Sequence, residues 1–163
     1  MLPLTAMTAT RPTASPVTAA IYAAVATALA AIATALLFQA EIVVLYILAF
    51  LLLGAAPVIG YQLATGQLGS DWKPLIGGLL GFILLILGWI LWPILVGAMT
   101  RGQSVGKLFI ASLVGIILGI VVFLLAATVM GQNPGWISTG FTLLWAIWGG
   151  TVGAAMAAWG EPR

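Results

Sequence analysis

The stretch PLIGGLLGFILLILGWILWPILVGAMT, residues 74–100, contains no charged side chain. Lys73 stands immediately before it and Arg101 immediately after it. A helix crossing the ~30 Å hydrocarbon core of a bilayer needs about 20 apolar residues. The run exceeds that length, so it reads as one apolar helix over 75–99. Pro93 predicts a kink in that helix, because proline removes a backbone donor.

Outward from this run the pattern repeats. Residues 12–40 and 42–70 are also free of charge, and 108–160 form a longer run interrupted by GQNPG at 131–135. Pro134 between glycines, with Gln132 and Asn133, is a turn signal. The reading is an all-α, polytopic transmembrane helix bundle of five apolar helices: 17–38, 42–64, 75–99, 107–130 and 136–159. The apolar runs are continuous rather than alternating, which argues against strands. Composition agrees. The 163 residues are 63% hydrophobic and 5% charged, with mean hydropathy +1.25, against about 25% charged residues in a soluble domain. At this length one transmembrane helical domain, 17–160, follows a flexible N-terminal tail, 1–16. The tail, MLPLTAMTATRPTASP, does not read as a standard signal peptide. Its one cation, Arg11, comes late and a long apolar run follows, so helix 1 reads as a retained signal-anchor.

Helix 1 admits two readings. Its larger residues, Val17, Ile21, Val25, Leu29, Ile32 and Leu36, recur three or four apart and form one stripe, while Thr27 and Thr34 lie opposite among alanines. It spans with the large stripe toward lipid and the small face against another helix, or it lies along the interface. An interfacial arm carries Lys or Arg on its polar face; this segment has neither, which favours spanning. The charges pull the other way. Cytoplasmic loops collect Lys and Arg. Five spans put Arg101, Lys107 and Arg163 on one side and Arg11 and Lys73 on the other. Four spans with an interfacial helix 1 make the ratio four to one. Both place the 100–107 loop and the C-terminus in the cytoplasm.

The residue types restrict the chemistry. There is no Cys and no His, so thiolate chemistry, the usual zinc sites and histidine-ligated haem have no ligands in this sequence. No cofactor is expected. A net charge of +2 from five cations and three anions is no nucleic-acid footprint. Charges inside a membrane mark transporters and pumps, and no predicted helix contains one. Of the acids Glu41, Asp71 and Glu161, only Glu41, between helices 1 and 2, has a place from which it reaches a proton or a quinol.

TRGQSVGK, 100–107, resembles a phosphate loop at first sight. A Walker loop needs four residues between Gly and Gly-Lys, then Ser or Thr; here Gly102 and Gly106 enclose three and Leu108 follows Lys107. The stretch reads as a tight turn whose Arg101 and Lys107 sit among lipid phosphates. An apolar helix with Trp92, a turn with Gly102, Gln103, Ser104, Gly106 and Lys107, and a further apolar helix resemble the second half of RDD-family membrane proteins over about residues 80–125. That resemblance implies a helical membrane scaffold. The Arg-Asp-Asp motif that names the family is absent from these helices, and Leu108 replaces the basic residue that usually follows Gly-Lys. The transport role proposed for some members is therefore not carried over with the scaffold.

Small residues recur four apart: Gly77 and Gly81; Ala111, Gly115 and Gly119; Gly149, Gly153 and Ala157; Ala146, Gly150, Ala154 and Ala158. In lipid, helices associate by packing, and small residues let backbones approach. Rows on several helices point to packing within the bundle and to other integral membrane subunits as partners. Trp72, Trp136 and Trp159 fall at helix ends, where indoles anchor at the headgroups beside Lys73, Arg101 and Lys107. Trp89, Trp92, Trp145 and Trp148 lie deeper and read as packing residues, ahead of a groove for quinone or a lipid tail.

These features favour a non-catalytic accessory subunit of a larger bacterial membrane complex, with a quinol-oxidising electron-transfer complex as first host. Its contacts are other membrane subunits, lipid and quinone at the periphery. The alternative is a small RDD-like transporter or channel acting as a homo-oligomer. Replacing both Arg101 and Lys107 by Ala is expected to disturb topology or assembly rather than turnover, measured as membrane insertion against the activity of the assembled complex.

Overall fold

The computed structural model describes residues 14–40, 42–82, 87–100, 102–131 and 133–160. Six helices account for most of them, and there is no strand among the described residues: α1 (Pro16–Phe38), α2 (Val43–Ala64), α3 (Lys73–Gly81), α4 (Gly88–Met99), α5 (Val105–Met130) and α6 (Trp136–Trp159). Four of them, α1, α2, α5 and α6, are long and apolar enough to cross a membrane. At 1.5 Å per residue their 22–26 residues span about 33–39 Å. In lipid, a helix is the element that satisfies its own backbone groups, and the starts are set locally. Ser15 caps α1 by accepting from the Thr18 N–H at 3.1 Å, with Pro16 in the first turn. Ser104 caps α5 by accepting from the Lys107 N–H.

The single helix expected over 75–99 is two helices. Contacts at two glycines give their relative direction. A Cβ at Gly77 would lie 3.1 Å from the Leu95 carbonyl, and one at Gly81 would lie 2.7 Å from the Trp92 Cα. As α3 advances, its partners on α4 recede, so the two helices are antiparallel and the chain reverses direction between Phe82 and Leu87. Pro93 is buried inside α4. The physical reason lies in Gly77, Gly78, Gly81 and Gly88. Glycine weakens a helix interior and permits two backbones to touch.

The other contacts complete a ring. Thr34 on α1 donates to the Ala49 carbonyl on α2 at 3.2 Å, and Gly60 on α2 abuts Ala23 on α1, so α1 and α2 are antiparallel. Gly149 meets Thr27 and Gly153 meets Ala19 and Ala23, so α6 runs against α1. Gly119 faces Leu144 and Gly115 faces Trp148, pairing α5 with α6. The α3–α4 hairpin fits between α2 and α5, with Gly78 on Gly54 and Gly97 on Val105. One end of the bundle therefore holds the starts of α1, α3 and α5 and the ends of α2, α4 and α6. Among the described residues, the opposite end holds the links between α1 and α2 and between α5 and α6.

Helix 1 packs its small face against other helices, as the spanning reading expects. Its large stripe is exposed, from Val17 at 68% to Ile32 at 46%, while Ala19, Ala23, Thr27, Ala31 and Thr34 are buried. The element too short to cross is the third, not the first. The expected flexible tail lies mostly outside the described residues.

Glycine spacing gives a direct test. A Cβ on Gly54 would overlap the Gly78 carbonyl and stand 2.9 Å from Phe82 Cβ, whereas one on Gly106 would meet nothing within 4 Å. Gly54→Ala is expected to lower stability by about 1–3 kcal/mol through overpacking. Gly106→Ala should leave it unchanged or raise it by about 0.5–1 kcal/mol. Thermal unfolding in detergent separates the two.

Candidate functional site: the aromatic core and the 100–107 turn

Phe82 at the end of α3 and Trp92 on α4 meet Trp148 of α6. All three are at most 1% exposed. Ring centroids lie 5.3 Å apart for Phe82–Trp148 and 5.2 Å for Trp92–Trp148, with tilted or edge-on planes, as ring quadrupoles prefer. Half-buried Trp145 and Phe141 extend the cluster along α6.

Two buried hydrogen-bond paths fasten this cluster. The Trp92 indole N–H donates to the Gly54 carbonyl at 2.7 Å. That bond ties α4 to α2 across the glycine contact that seats α3. The Trp148 indole N–H donates to Ser112 Oγ at 2.9 Å, and Ser112 Oγ donates to the Trp89 carbonyl at 2.8 Å. One hydroxyl on α5 thereby links α6 to α4. The Trp145 Nε1 atom is buried without a partner.

The 100–107 turn has a structural task. Gly102 adopts φ +79°, a conformation that favours glycine. Gln103 donates through Nε2 to the Met156 carbonyl at 2.7 Å, near the end of α6. Met156 O also accepts from the Gly160 N–H, so the turn caps the last turn of α6. At the neighbouring turn, buried Gln62 donates to the Asp71 carbonyl at 2.6 Å and ties the end of α2 to the start of α3.

The small residues named from sequence fall mainly inside the bundle. Gly77 and Gly81 seat α4; Gly115 and Gly119 receive α6; Gly149, Gly150 and Gly153 receive α1. Ala111 is buried, and Ala146, Ala154 and Ala157 are half-buried. Trp72 and Trp159 are exposed at the end that holds the helix starts of α1, α3 and α5. Trp136 is at the other end, its ring 5.6 Å from Phe123. Lys73 and Lys107 are exposed in the first turns of α3 and α5. Arg101, Glu41 and Glu161 lie outside the described residues.

Sequence reasoning passed over Gly54, Gly60, Phe82 and Ser112. Ser112 had a usable signal, as one of two hydroxyls, with Thr128, in a long aliphatic helix. Gly54 fits no four-residue row, whereas Gly60 stands in one with Ala56 and Ala64. No group of three or more potential metal-binding side chains occurs among the described residues. No family model, curated protein or solved structure matches this chain.

Ser112→Ala would strand the Trp148 N–H in an apolar interior. The expected loss is about 1–3 kcal/mol. Adding Trp148→Phe removes the stranded donor, so the double variant should lose less than the sum of the two. A double-mutant cycle of unfolding midpoints measures that coupling.

Proposed function

We propose that the protein is a non-catalytic accessory subunit of a larger integral membrane complex. The observation that carries the reading is the closed centre of the ring. Phe82, Trp92 and Trp148 fill the axis where a conduit through a single copy would run, and the two indole donors among them are satisfied within the chain. A packed, hydrogen-bonded axis suits a rigid scaffold. The outer surface suits contact with lipid and neighbouring helices. On α5, Ile110, Ile117, Leu124 and Val129 are all more than half exposed. Because the glycine rows are largely engaged internally, a partner subunit would meet these larger aliphatic side chains.

In this reading the site is a bacterial cell membrane, with the 100–107 loop and the C-terminus in the cytoplasm. The first host class is a quinol-oxidising electron-transfer complex, with quinone and lipid at the subunit edge. The turn at Gly102–Lys107 is the feature that favours the second reading, an RDD-like transporter or channel assembled from several copies.

Gentle extraction of native membranes is expected to recover the chain with foreign membrane subunits in fixed proportion. Recovery as copies of itself alone would end the accessory-subunit reading. Substrate flux into proteoliposomes holding only this chain would then support the second.

A further inference from the structure

We infer that α3 and α4 form a re-entrant hairpin that enters the bilayer from the cytoplasmic face and returns to it, so that four spans gather all five cations on one side. This rests on membrane embedding and not on the accessory-subunit reading.

Three observations converge. The first is length. The 9 residues of α3 and the 12 of α4 reach about 14 and 18 Å, roughly half of the ~30 Å hydrocarbon core. The second is direction. The Gly77–Leu95 and Gly81–Trp92 contacts make the pair antiparallel, so the 65–72 and 100–104 links lie at the same end of the bundle. A chain turning inside the bilayer is tolerated where protein encloses it. Here Gly54 and Trp148 flank Phe82 at the end of α3, and Gly78 packs on Gly54.

The third observation is charge. Lys73 and Lys107 are exposed at that shared end. Chain order assigns the remaining cations to it: Arg11 precedes α1, Arg101 joins α4 to α5, and Arg163 follows α6. The links at the opposite end contain no Lys or Arg, and Glu41 is their one charged residue. A split of five to none replaces the three-to-two split of five full spans, and it names the cytoplasmic face. Lys73 and Lys107 also stand in the first turns of helices, where the dipole disfavours a cation. Anionic headgroups at that depth offset this. Exposed Trp72 and Trp159 mark the same rim.

The chain has no cysteine, so single cysteines report position directly. Ser70→Cys places a thiol in the link before the hairpin and Gly106→Cys one in the exposed first turn of α5 just after it, and Gln39→Cys and Asn133→Cys place thiols at the other end. With a membrane-impermeant maleimide on intact cells, the first pair should not label, and should label fully in inside-out vesicles. The second pair should do the reverse. Labelling of Ser70→Cys and Gly106→Cys from opposite faces would make 74–100 a full span and overturn the hairpin. Labelling of both from outside would overturn the orientation. Leu68→Cys and Ser104→Cys repeat the test on the two sides of the hairpin if either first variant fails to accumulate.

Discussion

In hydrocarbon an apolar side chain gains little by leaving lipid for protein, so helices are held by close packing and by hydrogen bonds that lipid cannot offer. The contact of Gly54 with Gly78 combines both. Neither residue has room for a Cβ, which lets α3 lie directly on α2. The Gly54 carbonyl at the same place accepts from the Trp92 indole, which brings in α4. The hairpin tip then meets Trp148 on α6, and Trp148 reaches α5 through Ser112. One backbone contact thus precedes a chain of interactions that touches five of the six helices. The sixth, α1, is seated by the same means, because Ala23 receives Gly60 of α2 and Gly149 and Gly153 of α6.

The four long helices were legible because two strong signals agree on them. Apolar length and flanking turn residues place 17–38, 42–64, 107–130 and 136–159 within two residues of the observed bounds. The exposed and buried faces of α1 follow from residue size alone. The third element was not legible from the same signals. Length counts uncharged residues, and an antiparallel hairpin of two half-length helices is as uncharged as one full span. What separates them is a contact with Gly54, more than twenty residues earlier in the chain. Gly77 and Gly81 were read as a packing row, which they are. Their partner is the helix that follows them rather than a distant one. The near-even charge split of five spans is a second signal in favour of four, and the weaker hydrophobes of helix 1 make that helix, rather than 75–99, the apparent odd one out in the sequence.

The candidate site divides in the same way. Trp92, Trp148 and Gln103 were visible as residues, but their partners were not, because a hydrogen bond such as Gln103 to Met156 joins positions 53 apart. The turn that resembled a phosphate loop binds the end of its own chain's last helix. Its glycine supplies a positive φ and its glutamine supplies a donor, so the polar residues that drew attention to it are used in holding α6.

A closed aromatic axis also bears on how the protein acts within an assembly. Two of the four deep tryptophans are fully buried and bonded, so their large rings set the spacing of α2, α4, α5 and α6. Trp145 differs. Its ring packs on Phe82 and Trp148 while its N–H has no acceptor. A buried donor left unpaired is a cost that a fold carries where packing decides the position. At Trp145 the ring supports the hairpin tip at the depth where α3 ends. Packing has therefore outweighed hydrogen bonding at the point where the re-entrant element most needs a wall behind it.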